Sequence, residues 1–331
     1  MSRTSFYIGD HPIGQNTPPF VVAEAGVHHY NSVALAKEYI TQAAIAGAHA
    51  IKFQTYSADR LVATWAPTYW DDESDRTQHD IFSERDKLSR DDYEEMFEHA
   101  LEVGITMLST PFDEESASML NELGMPAFKI ASADLTNHPL LEAVASLGKP
   151  VLMSTGASEI DEIRQAVEVI SGYNVPVALL HCNLSYPTPI KEANLRRIDV
   201  IQNEFPDVVL GYSDHTQPQD SELACPLSVT LGARIVEKHY TLNKHLREDD
   251  HYHAVDQGGL TRLVKNCRDA FTMTNAYREI TESEEGARQY ARRSVVAAVD
   301  LLEGTVLTEE HIDYKRPGTG VSPANRNDII G

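Results

Sequence analysis

Eight short apolar runs punctuate the chain, at residues 20–24, 50–53, 106–109, 127–130, 151–154, 177–181, 208–211 and 234–238. They are rich in Val, Ile, Leu and Ala and do not alternate strictly with polar residues, which is the texture of parallel strands buried on both faces. A helix-like stretch follows each run. Behind the fifth, Ile160, Ile163, Val167 and Ile170 recur at helical spacing after Ser158, with Asp161 three residues on, so the pattern predicts an amphipathic outer helix starting at Ser158. Eight consecutive strand-helix units predict an α/β fold, and the simplest closed arrangement is a (β/α)8 TIM barrel.

Two stretches break the rhythm. Residues 57–92 are polar and contain Trp65, Tyr69 and Trp70; on the catalytic face of a barrel such an insertion reads equally as a substrate lid or as a surface loop. After the eighth unit a helical stretch is predicted over 259–277, followed by a polar connector at 281–286. The texture then changes. Residues 293–298, the turn Leu302-Glu303-Gly304 and residues 306–308 read as short strands and turns of a small separate module. The expected organisation is a barrel over 1–280 and a linker with a small domain over 281–331.

Composition fits one large domain with an appendage, at 331 residues and 42% hydrophobic. Charge adds more. Fifty acidic against 28 basic residues give a formal charge of −22, with ten lysines to eighteen arginines, a balance that repels nucleic-acid phosphates. It reads as a solvated acidic surface, and more specifically as that of a protein from a salty cytoplasm. Both activity and unfolding midpoint are then expected to rise in molar KCl, where counterions screen like-charge repulsion; a fall in both would remove the halophilic reading. No run of about 18 apolar residues suggests a membrane span. The first residues lack the apolar stretch of a secretory leader, and Cys182, Cys225 and Cys267 are widely scattered. The expectation is a soluble cytoplasmic protein without disulfides or a zinc-cysteine site.

In a (β/α)8 barrel the C-terminal strand ends face the active site. Those ends offer Glu24, Lys52 with Gln54, Thr110, Lys129 with Ser132, Ser154 with Thr155, Asn183, Ser213 with His215, and Glu237 with His239. Buried lysines are expensive unless an anion meets them. Together with the hydroxyls of Thr110, Ser132, Ser154 and Ser213, they suit a phosphate and a carboxylate on one small substrate. His215 and His239 end neighbouring runs and are placed to share a divalent metal that polarises a carbonyl, while Glu24 and Glu237 either move protons or hold a metal-bound water. His251 and His253, in Asp249-Asp250-His251-Tyr252-His253, either add metal ligands or are surface histidines, the second being the expected reading. The inventory describes addition of a small phosphorylated acid to a carbonyl.

These residues resemble the sialic acid synthase family, the phosphoenolpyruvate-condensing enzymes that make nonulosonic acids. The similarity runs through Ala23-Glu24-Ala25-Gly26, Ile51-Lys52-Phe53-Gln54-Thr55, Leu108-Ser109-Thr110-Pro111-Phe112, Phe128-Lys129-Ile130, Ser154-Thr155-Gly156, Tyr186-Pro187-Thr188-Pro189, both histidine motifs and Lys315-Arg316-Pro317-Gly318-Thr319-Gly320. The resemblance implies a barrel followed by an antifreeze-like (SAF) domain, in a homodimer whose small domain covers the partner's active site. That module normally continues well past the position of Gly331, so the domain is expected to be truncated here.

It also implies phosphoenolpyruvate, an N-acylated hexosamine such as N-acetylmannosamine, and a divalent ion, manganese first, with magnesium or cobalt as alternatives. His215 and His239 look like the metal ligands, and Lys52, Thr110, Lys129, Ser132, Ser154 and Ser213 like the phosphoenolpyruvate site. Glu24, Gln54, Tyr186 and Asp250 fall at acceptor-side positions, and Arg316 matches an arginine that the small domain presents to the sugar. Departures stand at Asp134, where the family often has Glu, at His28, where it often has Asn, at Asn183-Leu184, and at Glu248-Asp249 in place of Gly-Pro. They cluster on the acceptor side. A diacetamido-trideoxy hexose, as in legionaminic or pseudaminic acid synthesis, is therefore an alternative acceptor, and a catalytically silent sugar-binding relative an alternative function.

Overall fold

The computed structural model describes residues 5–70, 76–218, 223–246 and 249–331. The expected absence of a leader rests on residues of which 1–4 lie outside these, as do residues 71–75 of the long insertion and Glu248. Among the described residues no helix is long and apolar enough to cross a membrane.

An antiparallel hairpin opens the fold, β1 (Ser5–Ile8) and β2 (His11–Gly14). Eight parallel strands follow: β3 (Phe20–Gly26), β4 (Ala50–Thr55), β5 (Thr106–Pro111), β6 (Phe128–Ile130), β7 (Val151–Ser154), β8 (Val177–Cys182), β9 (Val209–Asp214) and β10 (Ile235–His239). Their hydrogen-bonded order is β5-β4-β3-β10-β9-β8-β7-β6. The first barrel strand thus pairs with the last, and the remaining seam lies between β5 and β6, which share no ladder among the described residues. This is the expected α/β barrel, closed but for that seam. Nearly every strand residue is buried, which explains the continuous apolar runs: a buried Val, Leu or Ile contributes about 1.5–3 kcal/mol.

The outer helices bury one stripe each. Ile163, Ala166 and Ile170 are the buried face of the helix Ile160–Ser171, which starts later than Ser158. Ser158 Oγ donates instead to the Gly156 carbonyl at 3.1 Å, and Glu162 accepts from the Glu159 amide at 2.7 Å. The hairpin at the start was not expected. It carries Phe6, Ile8 and Ile13 into the core, and Arg234 Nε donates to the Gln15 carbonyl at 2.7 Å, tying the segment to the start of β10. The hairpin therefore sits at the N-terminal face, away from the strand ends that carry chemistry.

The chain divides into two compact units, Met1–Asn275 and Ala276–Gly331. The barrel unit ends on the helix Gln257–Thr274. In the second unit β11 (Ser294–Ala297) pairs antiparallel with β12 (Ile312–Lys315), and residues 306–308 are not a strand. Ser294 fastens the following turn, its Oγ donating to the Pro317 carbonyl at 2.6 Å and accepting from the Gly320 amide at 2.8 Å.

Candidate active site

Parallel pairing brings the strand ends into one layer. Register sets Glu24 beside Lys52, Gln54 beside Thr110, Ser213 beside Glu237, and Glu24 beside His239. Between Glu24 and Gly26 the register against β4 slips, and Gly26 takes a φ of +54° there, a left-handed conformation that favours glycine. Such irregularities recur beside active sites because they re-aim side chains. A second glycine is required by space: a Cβ on Gly156 would come within 2.8 Å of Ser132 Oγ and 3.0 Å of the Leu184 amide. Its absence lets the Gly156 amide donate to Ser132 Oγ at 2.9 Å.

Two ammonium groups and two carboxylates are buried in this layer. Lys52 forms an ion pair with Glu24, lies 3.8 Å from Glu237 Oε1 and donates to Thr110 Oγ1 at 2.9 Å. Lys129 lies 3.9 Å from the same Glu237 oxygen and donates to Ser154 Oγ at 2.7 Å and to the Ile130 carbonyl at 3.1 Å. Ser213 Oγ donates to Glu237 Oε1 at 3.1 Å, and Gln54 Nε2 to Glu24 Oε1 at 3.0 Å.

These environments separate the groups. Burial raises the Glu24 carboxyl above its ordinary range, offset only in part by Lys52. Burial also opposes the charge of Glu237, but Lys129 and Lys52 outweigh it and hold that carboxyl low. For Lys52 the two carboxylates overcome burial and keep the ammonium charged, whereas burial pushes the Lys129 ammonium down. Carboxyl groups driven apart in this way are suited to opposite roles in proton transfer.

A histidine cluster adjoins the carboxylates. His215 and His239 are both buried, with ring centroids 5.2 Å apart. His215 Nδ1 donates to the Asn183 carbonyl at 2.6 Å, which fixes the ring and its tautomer, and Cys182 Sγ lies 3.7 Å from the same nitrogen. The expectation that His251 and His253 are surface residues is overturned: both are fully buried, because the turn Asp249–His253 folds back on β10. His253 stands 4.6 Å from His239, ring to ring, and burial pushes it down to about 2. His251 stacks at 3.9 Å on His28, so the departure at His28 belongs to the packing of this turn.

The remaining expected residues are spread more widely. The Tyr186 ring lies tilted against that of His215, centroids 4.2 Å apart. The Asn183 side chain turns to the Glu192 carbonyl at 3.0 Å. Asp134 is half-buried, with its carboxyl raised by burial. Tyr69, from the long insertion, comes within electrostatic reach of Asp250. Arg316 belongs to the second unit, where it is exposed.

One pair escaped the sequence reading. Asp214 and Lys238 alternate with the inward residues Ser213, His215, Glu237 and His239, and therefore point out of the barrel. Lys238 Nζ donates to Asp214 Oδ2 at 2.9 Å and to the Thr216 carbonyl at 2.5 Å. Tyr212 and Thr216 complete the shell of Asp214.

The chain is similar in sequence and fold to known proteins. The NeuB family matches residues 39–278. An uncharacterized protein of Methanocaldococcus jannaschii is 39% identical over 95% of this chain and 89% of its own length. The N,N'-diacetyllegionaminic acid synthase of Legionella pneumophila is 35% identical over 98% of this chain and 92% of its own. The crystal structure of N-acetylneuraminic acid (sialic acid) synthetase from Leptospira borgpetersenii superposes with a TM-score of 0.76 at 31% identity, covering 85% of this chain and 94% of that one. The chain is a transferase that forms a carbon-carbon bond, and it belongs to the NeuB family.

Proposed function

We propose that the protein condenses phosphoenolpyruvate with an N-acylated hexosamine to give a nine-carbon 2-keto sugar acid and inorganic phosphate. The observation that carries this reading is the pair of buried ammonium groups, Lys52 and Lys129, set among the hydroxyls of Thr110, Ser154 and Ser213 on one face of the barrel. With Glu24 held as the neutral acid, the two ammonium groups outnumber the one remaining carboxylate, Glu237, and match a donor that carries a phosphate and a carboxylate.

In this reading Lys52 and Lys129 grip the anionic groups of the donor, and Ser132 and Ser213 orient them. C3 of phosphoenolpyruvate forms the new bond to the aldehyde carbon of the open-chain sugar. Water adds at C2, the bond from C2 to the bridging oxygen breaks, and phosphate leaves. Glu24, the carboxyl raised by burial, is suited to give a proton to the developing alkoxide; Glu237, held as a carboxylate, is suited to take one from the water. His215 and His239 are the proposed metal ligands, and the buried His239 Nδ1, which lacks a hydrogen-bond partner, fits that role. A divalent ion bound there supplies polarisation of the acceptor carbonyl. Tyr186, Asp134, Asp250 and Arg316 are assigned to the acceptor side.

Identity to the legionaminic acid synthase supports a diacetamido-trideoxy hexose as an acceptor beside N-acetylmannosamine. The experiment is phosphate release from phosphoenolpyruvate with Mn2+, offered N-acetylmannosamine, its 6-phosphate and the diacetamido-trideoxy hexoses in turn. Release with one acceptor, together with a nonulosonic acid by mass spectrometry, is the expected result. Sugar binding by calorimetry without release from any acceptor would replace this reading with a silent sugar-binding protein.

A further inference from the structure

The turn after β10 places three donors around one point. His239, Asp250 and His253 each offer a ligand atom, and those atoms lie within 4.8 Å of one another. Asp250 Oδ2 is 3.5 Å from His239 Nδ1, and its Oδ1 is 4.0 Å from His253 Nε2. His215 is not a member of this mutually close group; its ring stands 6.2 Å from that of His253.

His253 is the anomaly. Its side chain is fully buried, and neither ring nitrogen has a hydrogen-bond partner. A buried polar group left unsatisfied costs about 1–3 kcal/mol, and here two nitrogens of one ring are in that position beside the orphaned Nδ1 of His239. A ring serving only as packing is better replaced by an apolar side chain of the same bulk. Two imidazoles and a carboxylate, by contrast, form a donor set suited to a borderline divalent ion such as Zn2+, Co2+ or Mn2+. The turn is also held in place: His251, lying between the two donors, hydrogen-bonds Thr241 Oγ1 at 2.6 Å and the Tyr30 hydroxyl at 2.7 Å, and the Tyr252 hydroxyl donates to the Tyr186 carbonyl at 3.0 Å. Outer contacts of this kind fix ligands for a metal.

We infer that His253 and Asp250 join His239 as protein ligands of a divalent transition-metal ion, adding two donors to the histidine pair proposed above. The inference rests on the proposed presence of a metal at His239, not on the condensation reaction. Three donors rich in nitrogen bind more tightly than a histidine pair and discriminate against Mg2+, whose preference is for oxygen.

The test is equilibrium binding of Co2+ by visible absorption, and of Zn2+ by competition with a chromophoric chelator, on the full chain stripped of metal. Wild type is expected to bind one ion. His253→Ala and His253→Gln are each expected to lose at least about 10–100-fold in affinity, the loss that even an outer-shell change produces, and more than His215→Ala loses. Unchanged affinity in the folded His253 variants would overturn the inference and leave a two-histidine site. An absence of any binding to wild type would overturn both. Should the variants fail to fold, 113Cd-loaded wild type labelled with 15N-histidine decides the matter, since coupling between cadmium and a His253 ring nitrogen exists only if that ring is a ligand. Tight binding through His253 in a protein that releases no phosphate would leave the inference standing and remove the proposed reaction.

Discussion

His239→Ala is expected to lower phosphate release by at least about 10³-fold. The basis is the several kcal/mol that a bound metal supplies to a developing oxyanion, at roughly 1.4 kcal/mol per tenfold. The same variant is expected to keep its fold. The imidazole it removes is buried with Nδ1 unpartnered, so deletion takes away a desolvated polar atom together with the packing of the ring, and the net change should stay near 1 kcal/mol, or about 2–4 °C in unfolding midpoint for a domain of this size. Activity, metal content and thermal unfolding of one preparation check the three parts. Metal-free His239→Ala that retains a tenth of wild-type turnover would show that the chemistry does not pass through this residue.

Lys238→Met is expected to produce the largest loss of stability, about 3–5 kcal/mol at pH 7, because it strands the buried Asp214 carboxylate. The pair spans β9 and β10 in register, between the inward residues of both strands, so its loss should also loosen Ser213, His215, Glu237 and His239. The pH dependence has a definite sign. Burial works to raise Asp214, but Lys238 and the Thr216 donors outweigh it and leave the carboxyl below its ordinary 3.8. A depressed carboxyl stabilises the fold fully above its unfolded value, and the contribution disappears as pH falls through the folded value. The gap between wild type and Lys238→Met is therefore expected to narrow on acidification towards and below pH 4. The double variant D214N/K238M should recover much of the gap at pH 7, since it leaves no unpaired charge. Denaturant unfolding across that range checks both, and a gap independent of pH would show that Met disrupts packing rather than an ion pair.

The barrel was legible because each strand is buried on both faces, which leaves an uninterrupted apolar run in the sequence. The inward site was legible for a related reason: a polar residue at an inward position that closes such a run lies at the barrel mouth, as for Lys52, Lys129, Glu237 and His239. Asp214 and Lys238 occupy the alternate positions of the same strand ends, and nothing local marks their side chains as paired with each other beneath the helices. His253 was misread because Asp249-Asp250-His251-Tyr252-His253 is as polar as any exposed turn. The turn is held in by its neighbours, His251 bonding Tyr30 and Thr241 and Tyr252 bonding the Tyr186 carbonyl, contacts that the turn's own sequence does not mark. The N-terminal hairpin had a usable signal in Gly9-Asp10 between Phe6-Tyr7-Ile8 and His11-Pro12-Ile13, a two-residue turn of the kind that joins antiparallel strands.

The break in the barrel's hydrogen-bond ring falls between β5 and β6. Thr110 stands on one of those strands and Lys129 on the other, so the hoop is unlatched where the proposed donor is held. An anion gripped at once by Lys129 and by Lys52, which itself leans on Thr110, would act as the missing clasp. Phosphoenolpyruvate bound across that seam is expected to slow amide exchange in both strands, since a ligand that binds the folded seam in preference to its opened form stabilises it.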